Sequence, residues 1–346
     1  MTEPLHVIGE ASRLLWHADL RPIKFFDEAV IELEEERLRF TGQSARVVTD
    51  LEVAVSLSKS PNYLGASDAG PDREVRIAHA QYLFEEGVVL DLSAFQKEAE
   101  ADKAIFLLRK AARFYNRRVT SNKVVRTIFS GLAGRNLLFG YGIEFYFYVQ
   151  AASRYMARGI ARFEEAAEIM EPYWKHFSEE ARHGDIFREG LIKSGIPAAR
   201  LEPDLAIAST SALLNFLFER SSRSLVEYGS LFPIMQPDDK PTSARSVNEK
   251  YAFLRTHYPF ASAIFDAFQK HDMIDVTEAH HAWALEEQIK KVGGLSAKEM
   301  ALALSTMEDS SCFFVVFFDG LERYYQNSER INWRGAADIE AELRPL

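Results

Sequence analysis

The chain has 346 residues, of which 47% are hydrophobic and 27% charged, and its formal net charge is -10. A chain of this length and apolar content can bury a large core, which excludes a mostly disordered protein. The negative charge disfavours nucleic acid or an anionic membrane as a partner, because both select a positive surface.

The single cysteine, Cys312, excludes an intrachain disulfide and any cluster of thiolate ligands. A metal site in this chain must therefore use nitrogen and oxygen ligands. The apolar run from Cys312 to Phe318 is too short to span a bilayer, and the N-terminus lacks a basic start followed by an apolar core. We expect a cytoplasmic protein that is not bound to a membrane.

Helical patterns dominate the chain, strand signals are sparse, and the polar tail after Asn327 carries little signal. We predict an all-α multi-helix bundle over residues 121–330, preceded by a helical extension over 1–120 and followed by a tail over 331–346. A cluster of Pro, Gly, Asn and Asp predicts a loop at Ser60–Asp72.

The predicted bundle is centred on a helix from Arg135 to about Phe163 that is apolar nearly all round, which is typical of the middle of a bundle. Gly195 and Pro197 form a helix stop signal. The remaining predicted helices span 164–194, 204–231 and 247–292, the last with an interruption near Tyr258-Pro259. A further helix is predicted to begin within GGLSAKEM and to end around Tyr325.

The segment HDMIDVTEAHH places ionisable residues on an apolar helix face. At roughly 100° per residue, His271, Asp275 and Glu278 share one stripe and His281 lies at its edge. The same stripe carries apolar residues such as Ile264 and Leu285, so these ionisable groups point inward. Buried carboxylates and imidazoles need a partner, and a shared cation supplies one. A hydrogen bond between His271 and Asp275 is the simpler alternative.

A second cluster, FSEEARHGDIF, contains Glu180 and His183 at the Glu-x-x-His spacing that lets one helical turn offer both ligands to one ion. Glu278 and His281 repeat that spacing. Glu144 lies one long helix before Glu180, in an all-apolar stretch. It is a further candidate ligand, unless a tyrosine hydroxyl or an arginine partners it.

Glu219 is a candidate ligand of a different kind, because di-metal bundles draw an acid from every helix. It also lies four residues from Arg223, which lies four from Glu227. A surface ladder of these three residues is the alternative. The later segment CFFVVFFDGLERYY is apolar on more than one face and indicates either core or the contact of a homodimer.

Four segments of the chain resemble helices of the haem-oxygenase-like superfamily. That superfamily includes thiaminase-II-like proteins and di-iron oxidases and oxygenases. The four segments are IEFYFYVQAASRYMA, EEARHGDIF, FERSSRSLVEYGSLFP and FQKHDMIDVTEAHHAWALEEQI. The resemblance covers about Arg135 to Tyr325. It implies iron ligation by Glu180, His183, His271 and Asp275. The last histidine of the family's second motif is Glu278 here, and Met235 or Gln236 stands where these relatives often place an acid.

EEARHGDIF and FERSSRSLVEYG also resemble ferritin-like di-iron proteins such as acyl carrier protein desaturases. This second resemblance implies a ferritin-like four-helix bundle. The ligands that it implies are Glu144, Glu180, His183, Glu219, Glu278 and His281.

Glu, Asp and His ligands without sulfur favour iron or manganese. We therefore expect a non-haem di-iron oxygenase or oxidase that uses two ions, dioxygen and an external electron donor. Its expected substrate is a small organic molecule, oxidised by N-oxygenation of an amine or by C–H or C–C oxidation of an aliphatic acid. The alternative is a metal-independent haem-oxygenase-like protein that binds or hydrolyses a small molecule.

Overall fold

The computed structural model describes residues 14–16, 21–25, 28–33, 36–41, 81, 84, 89–202, 205–235, 243–278 and 284–325. The chain divides into two compact units. The first contains Met1–Ser121 and Val292–Met307, and the second contains Asn122–Lys291 and Glu308–Leu346.

In the described residues of the first unit, the first four elements are the strands β1 (Leu14–Trp16), β2 (Arg21–Phe25), β3 (Glu28–Leu33) and β4 (Glu36–Thr41). Strands β2, β3 and β4 form an antiparallel sheet in chain order. The residues of β2, β3 and β4 are therefore strands and not parts of the predicted N-terminal helical extension. Arg37, Leu38, Arg39 and Phe40 alternate polar with apolar, a period of two that favours a strand.

The first unit continues through β5 (Val89–Asp91), a 3-10 helix (Leu92–Gln96), β6 (Ala99–Glu100) and helix α1 (Ala101–Thr120). The Asp91 carboxylate caps the 3-10 helix by accepting from the Ser93 backbone N–H at 3.0 Å. Strand β5 pairs with β1, and β6 pairs with β7 (Gly294–Leu295), both antiparallel.

The described part of the second unit is all-helical, which confirms the predicted all-α fold class. Helix α11 begins in the first unit and ends in the second. The helices are α2 (Lys123–Phe129), α3 (Arg135–Arg162), α4 (Ala167–Glu180), α5 (His183–Lys193), α6 (Ala208–Arg220), α7 (Leu225–Met235), α8 (Ala244–His257), α9 (Ser262–Glu278), α10 (Ala284–Val292) and α11 (Ala297–Tyr325).

The predicted bounds of α3 and α11 are confirmed, but the helices predicted over 164–194 and 204–231 are each divided in two. Turns at Ala181–Arg182 and at 221–224 interrupt them. Ser221, Ser222 and Ser224 mark the second break, and serine side chains compete with the helical backbone for hydrogen bonds. The interruption at Tyr258-Pro259 and the stop at Gly195, whose φ is +88°, are confirmed.

Helix α3 is the centre of the second unit, as predicted. Every residue from Leu137 to Ala152 is buried except Phe145 and Gln150, which are partly exposed. Helices α4, α5 and α6 pack on α3, and α9 packs along α5. The rings of Phe145 (α3), Phe187 (α5) and Phe268 (α9) meet with centroid separations of 4.8–5.3 Å.

Gly190 allows the close approach of α5 and α9. A Cβ added at Gly190 would lie 2.7 Å from both the Ala263 carbonyl oxygen and the Ala267 Cβ. Those separations are far inside van der Waals contact, so a larger residue would push the two helices apart. The glycine therefore fixes the spacing of the helices that carry His183 and His271.

Among the described residues, only α11 has the length and apolar composition that crossing a membrane requires. Its most apolar stretch has a mean hydropathy of 1.4, and 44% of that stretch is buried inside the protein. Core helices of soluble proteins share these properties, so the feature is weak evidence for a membrane span.

Candidate metal centre

Three of the candidate ligands, Glu180, His183 and His271, lie together, with one ligand atom from each within 4.8 Å of the others. Glu180 and His183 are buried, and His271 is mostly buried. Within the described ranges of the chain, this is the one group of three or more such side chains that is close enough to hold an ion.

The three side chains come from three different helices. Glu180 is the last residue of α4, His183 is the first residue of α5, and the turn Ala181–Arg182 joins them. The sequence predicted that one continuous helix would present both residues, which is wrong, but the three-residue spacing still brings their side chains together. His271 projects from α9, which packs along α5.

Short contacts hold the group in place. His183 Nδ1 lies 2.7 Å from Glu180 Oε2, a hydrogen-bond distance. The rings of His183 and His271 meet edge to face, with their centroids 4.6 Å apart and their planes at 72°. The ring of Phe187, one turn after His183, lies against the His271 ring, with the two centroids 5.3 Å apart.

His176 is a member of this site that the sequence analysis missed. It is buried, and its Nε2 lies 3.6 Å from Glu180 Oε1, so each carboxylate oxygen of Glu180 faces a different histidine. The signal was present in the four-residue step from His176 to Glu180, which places both side chains on one helix face. The Phe232 ring packs against the His176 ring, with the two centroids 4.4 Å apart.

Glu180 has a strongly perturbed pKa. Burial by itself would raise that pKa, but hydrogen bonds and charge interactions with His176 and His183 outweigh the burial and hold the pKa well below its ordinary value. Glu180 is therefore a carboxylate at neutral pH although it is buried. It keeps this charge at the C-terminal end of α4, where the helix dipole disfavours an anion.

The donor set fits a divalent transition metal. One carboxylate and two imidazoles are the ligands that non-haem iron sites use, and manganese and zinc also accept them. Bonds of about 2.0–2.2 Å allow two donor atoms on one ion to be at most about 4.4 Å apart. The group, which extends to 4.8 Å, needs to contract by only a few tenths of an ångström to hold an ion.

Glu144 lies apart from this group, fully buried in α3. Its Oε1 accepts a hydrogen bond from the Tyr325 hydroxyl at 2.7 Å, and its Oε2 accepts one from the Ile207 backbone N–H at 3.2 Å. A tyrosine hydroxyl was one of the two simple partners expected for it. These bonds give Glu144 a structural role that joins α3 to the end of α11.

We expect Tyr325→Phe to lower the free energy of unfolding by about 1–3 kcal/mol, because a buried carboxylate oxygen loses its hydroxyl donor. Denaturant unfolding monitored by circular dichroism measures this loss. The matched control is Tyr324→Phe, since Tyr324 is partly exposed and adjacent in sequence. Equal stability of the two variants would contradict a structural role for the Tyr325–Glu144 bond.

Glu219 is about half exposed and pairs with Arg223 and, at 3.6 Å, with Arg220. The ladder expected from the sequence is present, because Arg223 also lies 3.8 Å from Glu227. One part of that expectation is wrong: Glu227 is buried, and Arg220 is its closer partner at 2.7 Å. Glu219 is not a member of the group around Glu180.

The remaining candidate ligands stay predictions. Asp275 and Glu278 belong to α9 by their backbone, but their side chains lie outside the described part of the structure. His281 lies wholly outside the described residues.

Comparison with known proteins gives a likeness of fold. No protein-family model and no curated protein matches the chain. The similar solved structures include a domain of unknown function with a heme oxygenase-like fold from Shewanella denitrificans, at 17% identity and TM-score 0.47, covering 64% of this chain and 93% of that one. A TenA homologue from Pseudomonas syringae has 14% identity and TM-score 0.47, covering 65% and 96%.

A third structure, a TenA homologue from Pyrococcus horikoshii, has 13% identity and TM-score 0.43, covering 64% of this chain and 98% of that one. The likeness concerns the fold alone, and the site around Glu180 rests on its own geometry.

Proposed function

We propose that this chain is a non-haem iron oxidoreductase that uses dioxygen to oxidise a small organic substrate. The observation that carries the proposal is the buried group of Glu180, His183 and His271, a carboxylate with two imidazoles and no sulfur. A bound iron would supply the redox chemistry that dioxygen requires, with electrons from an external donor.

The side chains of the site have separable roles in this proposal. Glu180 supplies the negative charge, and its low pKa keeps that charge available at neutral pH. His183 and His271 supply nitrogen donors from two helices whose spacing is fixed at Gly190. Phe187, whose ring lies against both His271 and Phe268, excludes water from that side of the site.

A pair of ions remains part of the proposal. His176 lies beside Oε1 of Glu180 and His183 lies beside Oε2. The carboxylate could therefore bind one metal ion through each oxygen. Asp275, Glu278 and His281 are the further ligands expected from the sequence. The proposed substrate is an amine or an aliphatic acid, the two classes expected from the sequence.

Anaerobic loading with Fe(II) tests this function. We expect about two irons per chain by elemental analysis, and a transient visible absorption when dioxygen is admitted. One iron per chain would support the group around Glu180 and contradict a second ion. No bound iron after anaerobic loading would overturn the proposal.

A metal-independent activity is the second candidate, and the 2.7 Å contact between His183 and Glu180 favours it. A carboxylate that orients an imidazole is also the arrangement of a general acid–base pair. On this alternative, hydrolysis of a small-molecule substrate persists in protein treated with a chelator and is lost in His183→Gln.

A further inference from the structure

Asp272, a residue that neither the sequence motifs nor the comparisons assign to the site, lies next to His271. Its Oδ1 is 3.7 Å from His271 Nδ1, slightly beyond hydrogen-bond distance. Both side chains are mostly buried. The carboxylate therefore lies beside one specific nitrogen of the imidazole.

Two donors from α8 fix the other oxygen of Asp272. Oδ2 accepts a hydrogen bond from the Tyr251 hydroxyl at 2.7 Å and another from Lys250 Nζ at 3.1 Å. Because these contacts occupy Oδ2, Oδ1 is left on the side of His271. Helix α8 thus determines which way the carboxylate faces.

We propose that Asp272 is a positioning residue whose Oδ1 accepts a hydrogen bond from the His271 Nδ1–H and so leaves Nε2 as the metal ligand. A histidine ligand needs one nitrogen without a proton, and the partner of the other nitrogen decides which one that is. This inference rests on the proposed metal site. It adds the residues Asp272, Lys250 and Tyr251 as the support behind His271.

The geometry gives an unusual expectation for Asp272→Asn, which changes the charge but hardly the shape. Lys250 can only donate hydrogen bonds, so the amide oxygen of the new asparagine must stay on the side of Lys250 and Tyr251. The amide –NH2 then faces His271 Nδ1 and donates to it. The ring proton moves to Nε2, so a metal can bind there only after the ring returns to the Nδ1–H tautomer.

Co(II), used alone as the probe, tests this in the full chain. We expect Asp272→Asn to weaken Co(II) binding by about 10–100-fold, as the loss of a partner behind a metal-bound histidine does elsewhere. Asp266→Asn is the matched control, because Asp266 lies on the same helix, is exposed and pairs with Arg255 at 3.0 Å. Its Co(II) affinity is expected to equal that of the wild type.

The tautomer of His271 gives a readout that a loss of stability would not imitate. Long-range proton–nitrogen NMR of the metal-free protein, assigned with His271→Gln, is expected to show an Nδ1–H ring in the wild type and an Nε2–H ring in Asp272→Asn. The double variant Lys250→Met/Asp272→Asn is expected to regain part of the affinity. Without Lys250 the amide can turn, since a tyrosine hydroxyl both donates and accepts.

The outcomes separate the inference from the proposed function. If the wild type binds Co(II) and needs His183, but Asp272→Asn binds it equally well with an unchanged tautomer, the role of Asp272 is wrong and the metal site stands. If the wild type does not bind Co(II), or His183→Ala binds it as tightly as the wild type, the metal site itself is wrong.

Discussion

Replacing His183 by alanine is expected to abolish tight metal binding while leaving the helices intact. His183 supplies one of three donors and also holds Glu180 Oε2 at 2.7 Å, so the variant loses a ligand and the orientation of a second one. Loss of a partner behind a ligand costs about 10–100-fold in metal affinity, and loss of a ligand is expected to cost more. Elemental analysis after anaerobic Fe(II) loading and a Co(II) titration measure the effect.

His257→Ala is the matched control for this experiment. His257 is an exposed histidine in α8 whose Nδ1 is bonded to the Phe253 carbonyl oxygen, so its removal takes away an imidazole without touching the site. The control variant should bind as much metal as the wild type. The site assigned around Glu180 is wrong if His183→Ala retains the wild-type iron content and Co(II) affinity with unchanged circular dichroism.

The sequence predicted the core of this site because its signals are local. The three-residue step from Glu180 to His183 survives a change from one helix to two, since residues flanking a short turn remain close in space. The apolar stripe of α9 also predicted correctly that His271 points toward the interior. Both signals depend only on spacing and burial.

The parts that the sequence did not predict depend on contacts distant in sequence. The sequence around Glu144 gives no sign that Tyr325, which lies 181 residues later in the chain, donates its hydroxyl to this carboxylate. Asp272 belongs to none of the sequence motifs. Its proposed role as the partner of His271 depends on the hydrogen bonds from Tyr251 and Lys250 of α8. Propensity is a weak guide where such tertiary contacts decide.

The N-terminal strands show a different kind of failure. The segment EAVIELEEERLRF is rich in glutamate, with two leucines and two arginines, and all three residue types favour a helix. The register pairs Ile31 with Leu38 and Ala29 with Phe40 across β3 and β4. The alternation of polar and apolar residues over Arg37–Phe40 is a strand signal, and it prevailed over the composition of the segment.

Arg220→Met is expected to lower the free energy of unfolding by about 3–5 kcal/mol, the cost of removing one partner from a buried ion pair. Arg220 is mostly buried and donates from Nη1 to Glu227 Oε1 at 2.7 Å and from Nη2 to Asp309 Oδ2 at 2.6 Å. It thereby joins the end of α6 to α7 and α11. Methionine keeps an unbranched side chain of similar length but leaves the buried Glu227 without its main countercharge.

The control is Arg223→Met, because Arg223 is half exposed and reaches Glu227 only at 3.8 Å. An exposed pair of this kind contributes about 0–1 kcal/mol, so this variant should unfold close to the wild type in urea. The double variant Arg220→Met/Glu227→Gln isolates the cause, because it removes the uncompensated charge along with the arginine. We expect it to be more stable than Arg220→Met alone, since a neutral amide costs less to bury than an unpaired carboxylate. If Arg220→Met and Arg223→Met lower the free energy of unfolding by equal amounts, Arg220 stabilises the protein no more than an exposed ion pair does.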